Sequence, residues 1–323
     1  MIHITSNNLQ PAFWDCMKEK FKNKVSEQAD FNFDVKGFSD IHIENDYRSK
    51  SQPLPGKFNV LMLWEPQTVN PWSYQKKVMS KFQLVISCGQ QRSQNLGINN
   101  FILHPYDIKT RVIDESKRDK NFVIINSAKF SANKKSLYGL RRKILKSLDR
   151  NHIQVELFGD NWHLKKTKEL RERIWAVRKE LSANRFPSLT EAFSQFFYRY
   201  PAYKGKVEDK ILALSKFKYA IVIENEADFI SEKLFDAIVA KCVPIYVGPD
   251  LSMYEHLNKC VIALPANDKE FLDFVLRDNN EMYSQKKLIL DQDFRYLDDI
   301  KKFALDLNVE AAVNIILSSY RRS

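Results

Sequence analysis

From Phe122 onward, apolar runs of strand length alternate with segments of helical period, and this alternation leaves few architectures open. "FVIINS" reads as a buried-type strand, and "SANKKSLYGLRRKILKSL" sets Leu137, Leu140, Ile144 and Leu148 at helical spacing. "IQVELFG" is the next strand, followed from Trp162 to Tyr203 by a helical and then aromatic-rich stretch. "ILALSKFKYAIVI" then supplies a helix and a strand, "SEKLFDAIVAK" a helix and "VPIYVG" a strand; "LSMYEHL" opens a further helix with a capping-box pattern from Ser252 to Glu255. Such alternation implies parallel sheets joined by right-handed crossovers. "YAIVI", continuous and apolar, fits a strand covered on both faces.

The first hundred residues are also α/β, with short strands at "FNVLMLW" (Phe58–Trp64) and "FQLVISC" (Phe82–Cys88) and a proline-marked loop and short helix between them. "HPYDIKTRVIDESKRDKN" is polar and lacks apolar periodicity, which makes it a linker. With 323 residues to place, two domains are expected: 1–118, and 119–323 with a helical tail from about Met282.

An apolar share of 44% and a charged share of 28% are those of a globular chain, and no run reaches the ~20 apolar residues of a membrane span. The net charge of +11 raises the question of nucleic acid, but basic residues are interleaved with acids, as in "KKTKELRERIWAVRKE". Such runs read as solvated helix faces, and a basic cleft for a phosphorylated small molecule accounts for the surplus equally well. The N-terminal stretch has no signal-peptide pattern and the four cysteines are scattered, so a reduced, cytoplasmic protein is expected, with peripheral membrane contact left open. The eight glycines form neither GxGxxG nor GxxxxGK[ST], which argues against dehydrogenases and P-loop enzymes. The six histidines show no ligand spacing, and "LDDI" at Leu297–Ile300 reads as solvated surface rather than a metal-binding pair.

The stretch "ENEADFISEK" requires more explanation. Glu224 and Asn225 end an apolar strand, at the rim where open α/β sheets bind ligands. Ser231 suits an N-cap, which puts Glu232 and Lys233 in the first helical turn. Backbone N–H groups and the helix dipole there favour a phosphate, and Lys233 adds a full charge. Glu232 offers only acceptors and suits hydroxyl groups such as a ribose diol. A Glu in a first turn also occurs for capping alone; the longer pattern, strand, acid–amide, "FISEKLFDA" and "CVPIYVGP", is what singles this stretch out.

That pattern, above all "KFKYAIVIENEADFISEKLFDAIVAKCVPIYVGPD", resembles the donor-binding signature of the α-1,3-fucosyltransferases, glycosyltransferase family 10. Weaker likenesses occur at "NSAKFSANKKSLYGLRRKI", "VELFG" and "LMLWEPQ". The resemblance implies a GT-B fold of two facing Rossmann-like domains and an inverting transfer from a GDP-sugar to a glycan hydroxyl, with no obligatory metal and no nucleic-acid partner. It implies that Lys233 contacts the pyrophosphate, Glu232 the ribose and Asn225 the nucleotide pocket, with Glu65 of "LWEPQ" as catalytic base. The family's second phosphate-binding cation, an arginine, falls nearest Lys134, with Lys135 adjacent and Arg142 two turns on, and the role stays open among them. Phe229 replaces the family's tyrosine, losing the hydroxyl, and Ser231 replaces threonine. Glu224 touches the donor sugar or satisfies backbone groups of its turn. The rival expectations are another nucleotide sugar on the same scaffold and a non-catalytic glycan- or nucleic-acid-binding protein.

Overall fold

The computed structural model describes residues 2–7, 11–24, 40–47, 52–107, 113–114, 118–162, 167–183, 186, 200–277 and 279–323. They form two units, Met1–Asp107 with Lys302–Ser323, and Ile108–Lys301.

In the first unit the elements run β1 (Ile4–Asn7), α1 (Pro11–Lys24), β2 (Ile41–Asn45), β3 (Phe58–Leu63), α2 (Lys76–Met79), β4 (Leu84–Cys88), α3 (Gln90–Leu96) and β5 (Phe101–Ile102). The strands pair in chain order, all parallel. In the second, β6 (Lys120–Ile125), α4 (Tyr138–Arg150), β7 (Val155–Phe158), α5 (Thr167–Ser182) and β8 (Tyr203–Gly205) precede α6 (Lys210–Leu214), β9 (Phe217–Ile223), α7 (Glu232–Val239), β10 (Val243–Val247), α8 (Glu255–Lys259) and β11 (Ile262–Ala263). Helices α9 (Asp268–Leu276), α10 (Asn280–Gln292) and α11 (Tyr296–Lys301) complete it. Its sheet is again parallel, in the order β11-β10-β9-β6-β7-β8. The expected α/β class with two parallel sheets is therefore present. Strands β3 and β10 are buried along their whole length, as strands covered on both faces must be.

The last helix, α12 (Leu305–Tyr320), corrects the expected domain division. Its Val309, Ala312, Val313 and Ile316 enter the core formed by Phe13, Met17 and Phe21 of α1 with Ile41, Ile43, Val60 and Met62 of the first sheet. The amide of Asn308 fixes the return, accepting from the backbone N–H of Leu103 at 2.9 Å. The tail thus belongs with the first unit, and the second ends at Lys301 instead of running to 323. The linker expectation is shortened in the same way: Tyr106 still pairs with Phe303 and Ala304, and residues 108–112 and 115–117 lie outside the described ones. The aromatic-rich segment over 187–199 also lies outside them.

Two local expectations fail for one reason. Ser252 does not cap α8: its N–H and hydroxyl turn to Asp250, and the helix starts after Tyr254 with no side-chain cap. The first-turn N–H groups of His256 and Leu257 donate instead to Asp299, at 2.9 and 3.0 Å. Asp299, read as surface from "LDDI", is 4% exposed because it serves as this distant cap.

Candidate functional site

Strand β6 lies inside the second sheet, with β7 and β8 on one side of it and β9, β10 and β11 on the other. The chain therefore reverses direction across the sheet between β6 and β9, and open α/β sheets bind ligands beyond the carboxyl ends of the strands at such a switch point. Asn126 follows β6 there, and Glu224 and Asn225 follow β9.

The loops leaving these strands are tied together. Ala227 N–H donates to the Lys135 carbonyl at 2.9 Å, Leu137 N–H donates to that of Asn225 at 3.2 Å, and Lys135 Nζ lies 2.6 Å from Asp228 Oδ2. Arg141, fully buried, donates to the carbonyls of Ser127 (3.1 Å), Ile223 (2.8 Å) and Glu224 (3.2 Å), clamping the ends of both strands. Burial brings its guanidinium down to about 10, so it stays charged at neutral pH. Gly159 lets β7 close on the same point: at φ +132°, its missing side chain would sit on the Asn126 carbonyl.

At the start of α7 the turn is wired through a fully buried carboxylate. Glu224 accepts from Ser231 N–H (2.9 Å), from the Ser231 hydroxyl and from Lys233 Nζ (3.3 Å), and Lys233 also donates to Ser231 Oγ. Of the two roles open to Glu224, the one seen is satisfaction of its own turn. Ser231 does occupy the N-cap position, but its hydroxyl makes no capping bond, so that expectation holds for position only. Glu232 pairs with Lys210 at 3.3 Å, and Lys210 reaches Asp236 at 3.5 Å. Burial raises the Glu232 carboxyl, while Lys233 and Lys210 outweigh it and bring it down to about 2. For Asp236 burial prevails, and its carboxyl rises to about 6.

The candidate cations of the β6–α4 loop have separate places. Arg142 is buried beside the Phe130 ring and donates to the Lys129 carbonyl at 2.8 Å, which makes it an anchor of the loop. Lys135 carries the Asp228 pair, and Lys134 is exposed. Phe229 is buried at 4% exposure. Asn126, Lys210, Lys233 and Asp236 line a common pocket together with Val123 and Leu214. Sequence reasoning passed over Asn126, Lys210 and Asp236. Asn126 had a usable signal, a polar residue at the carboxyl end of an apolar strand, the same signal that marked Glu224.

In the first unit, Glu65 lies just past β3 and is half-buried. Its N–H donates to both Asp46 oxygens, at 2.9 and 3.2 Å, and Asp46 also takes the N–H of Trp64 at 3.0 Å. The Glu65 carbonyl accepts from the Tyr74 hydroxyl at 2.7 Å, and Arg92 donates to that hydroxyl at 3.0 Å. The backbone of the expected base is thus held from both sides. Asp46 was not singled out from the sequence; burial pushes its carboxyl up to about 8, against the lowering effect of the N–H groups it accepts. Among the described residues no group of three or more His, Cys, Asp or Glu side chains is arranged to hold a metal ion, and no helix is long and apolar enough to cross a membrane.

No protein-family model matches the chain. A fucosyltransferase-like protein of Arabidopsis thaliana is 47% identical over 47 residues, which are 14% of this chain and 9% of the relative, so the chain spans about a tenth of that relative's length. Among solved structures, Anabaena HepE in complex with UDP and glucose aligns over 99% of this chain and 100% of its own, at 11% identity and a TM-score of 0.56. Its complex with UDP-glucose aligns over 99% and 100%, at 13% identity and a TM-score of 0.54. An α1,3-fucosyltransferase with GDP covers 100% of this chain and 90% of its own, at 11% identity and a TM-score of 0.49. What the chain shares with HepE at these identities is the fold.

Proposed function

We propose that the chain is an inverting glycosyltransferase that takes its sugar from a nucleoside diphosphate, GDP-fucose in the first instance, and passes it to a hydroxyl of a glycan. The observation that carries this reading is the convergence of Asn126, Glu224, Asn225 and the start of α7, with Lys233, at the switch point of a parallel sheet. An ammonium has three N–H donors. Glu224 and Ser231 take two of those of Lys233 and fix its position, and the third is offered to a diphosphate. Lys210 occupies Oε1 of Glu232, leaving Oε2 to accept from a ribose hydroxyl.

In the transfer, the acceptor oxygen bonds to the anomeric carbon as the bond from that carbon to the diphosphate breaks, and the configuration inverts. Glu65 takes the acceptor proton, while Lys233 and a loop cation meet the charge that develops on the diphosphate. For that cation Lys134 is the stronger candidate, since Arg142 anchors its loop and Lys135 pairs with Asp228. Phe229, a ring without a hydroxyl where the resembled family has tyrosine, favours a second reading, another sugar on the same diphosphate. Thermal-shift screening of GDP, UDP and their sugars, with and without EDTA, tests both. A shift with GDP-fucose that survives EDTA supports the proposal; a response confined to UDP-sugars overturns the choice of donor; no response to any nucleotide overturns the reading.

A further inference from the structure

Asn126 has a well-tethered backbone and an unpartnered side chain. Its N–H donates to the Phe158 carbonyl at 2.9 Å, and its carbonyl accepts from the Trp162 indole N–H. Its amide is only 4% exposed, yet neither the nitrogen nor the oxygen of that amide has a hydrogen-bond partner among the described residues. Buried side-chain amides are rarely left in this state, because an unmet donor and acceptor each carry a desolvation penalty. The amide lines the pocket that also contains Lys233, and it stands at the switch point, across from the end of β9.

The chemistry of the group narrows its partner. A side-chain amide needs an acceptor for its N–H groups and a donor for its oxygen. Phosphate oxygens answer the nitrogen only. A sugar hydroxyl is donor and acceptor at once and satisfies both. We infer that Asn126 is a ligand-binding residue that recognises a hydroxyl of a sugar ring in the nucleotide sugar, leaving the diphosphate to Lys233. The inference rests on the nucleotide-sugar reading given above.

Asn126→Leu separates a binding role from a structural one. With no hydrogen bond in the folded protein to lose, the leucine variant keeps or raises the melting temperature. Calorimetry on the full chain with pyrophosphate, GDP and GDP-fucose then gives the expected pattern: pyrophosphate binds as before, and affinity for the sugar-bearing ligands falls about ten- to a hundredfold. Equal losses for GDP and GDP-fucose assign the hydroxyl to the ribose, and a loss confined to GDP-fucose assigns it to the transferred sugar. Unchanged affinity for both, or an equal loss for pyrophosphate, overturns the inference while leaving the nucleotide-sugar reading in place. If the parent protein binds none of these ligands, that reading fails first and the inference goes with it. Asn126→Ala, smaller than the parent side chain, takes the place of the leucine variant if the latter does not fold, with the same pattern of affinities expected.

Discussion

Ser231 stands at the N-cap of α7, and its hydroxyl donates to Glu224 and accepts from Lys233 instead of accepting from a backbone N–H of the helix it begins. A fully buried carboxylate has to be matched by donors, and Ser231 and Lys233 supply them. The first turn of α7 is thereby left without a side-chain cap. An element that resembles a capping motif is, in the folded chain, a neutralised turn that holds an ammonium in place.

Lys233→Ala should therefore affect two quantities that can be measured separately. Removing the ammonium leaves Glu224 buried with its ion-pair partner gone, which costs about 3–5 kcal/mol of stability. It also removes the proposed charge-assisted bond to the diphosphate, about 1.5–3 kcal/mol, or one to two decades in affinity. Adding Glu224→Gln should restore much of the stability, read by urea unfolding, without restoring pyrophosphate or GDP affinity, read by calorimetry. Recovery of both together would reduce Lys233 to a partner of Glu224.

Glu65→Gln keeps the N–H and carbonyl that Asp46 and Tyr74 hold, so the fold around it should not change. Transfer should drop about 10²–10⁴-fold, the usual contribution of a general base, with GDP affinity unchanged. Turnover near that of the parent would leave Glu65 as a rim residue with no part in the chemistry.

Much of the fold was legible because β3, β6, β9 and β10 each carry an apolar run, "VLML", "FVII", "YAIVI" and "VPIYV", of the kind that strands of a parallel sheet covered on both faces present. Strands β1 and β2 were not, since "ITSN" and "IHIEN" are interrupted by polar residues. These residues satisfy one another across the pair, Thr5 Oγ1 with His42 Nδ1 at 2.9 Å and Asn7 with Glu44 at 3.1 Å, and nothing local in the sequence reveals that the buried His42 and Glu44 are met from the neighbouring strand. The return of α12 to the first core and the capping of α8 by Asp299 depend on contacts between distant residues, and are hidden for the same reason. Asn225, Glu232 and Lys233 were singled out because they follow a strand or open a helix, and Glu65 through the family resemblance of "LWEPQ". Asp46 and Arg141 escaped because their roles consist of bonds to backbone groups far along the chain.

Asp46 sets a pH dependence whose sign runs opposite to that of an ordinary ion-paired carboxylate. Its carboxyl rises from 3.8 to about 8 on folding, so between these values the folded chain holds a proton that the unfolded chain has released. Stability from this group is present below pH 3.8 and falls as pH rises toward 8. Asp46→Asn has no such proton to lose, and its stability relative to the parent should improve between pH 5 and pH 8.5 in urea unfolding. A constant difference between the two proteins over that range would contradict the assignment.

Asp299→Ala should remove the distant cap of α8 and lower stability by about 1 kcal/mol, within the 0.5–2 kcal/mol range of cap deletions. The residue lies apart from the switch-point pocket, so nucleotide affinity should not change. An altered GDP affinity with stability intact would mean that Asp299 has a second role.

Arg141→Lys tests whether the two strand ends at the switch point have to be clamped for the site to form. The guanidinium reaches the carbonyls of Ser127, Ile223 and Glu224 together because its donors are spread over a rigid plane. A lysine ammonium is a compact point on a flexible stem and cannot span carbonyls from two strands in the same way. At least one carbonyl then loses a charge-assisted bond, a loss on the order of 1.5–3 kcal/mol for each bond broken. Because those carbonyls belong to the segments carrying Asn126 and Asn225, the pocket should loosen along with the fold: GDP affinity should fall in Arg141→Lys although the charge is retained. Chemical denaturation and GDP calorimetry on the same preparation would decide this. Loss of stability with full GDP affinity would show that the clamp supports the sheet alone.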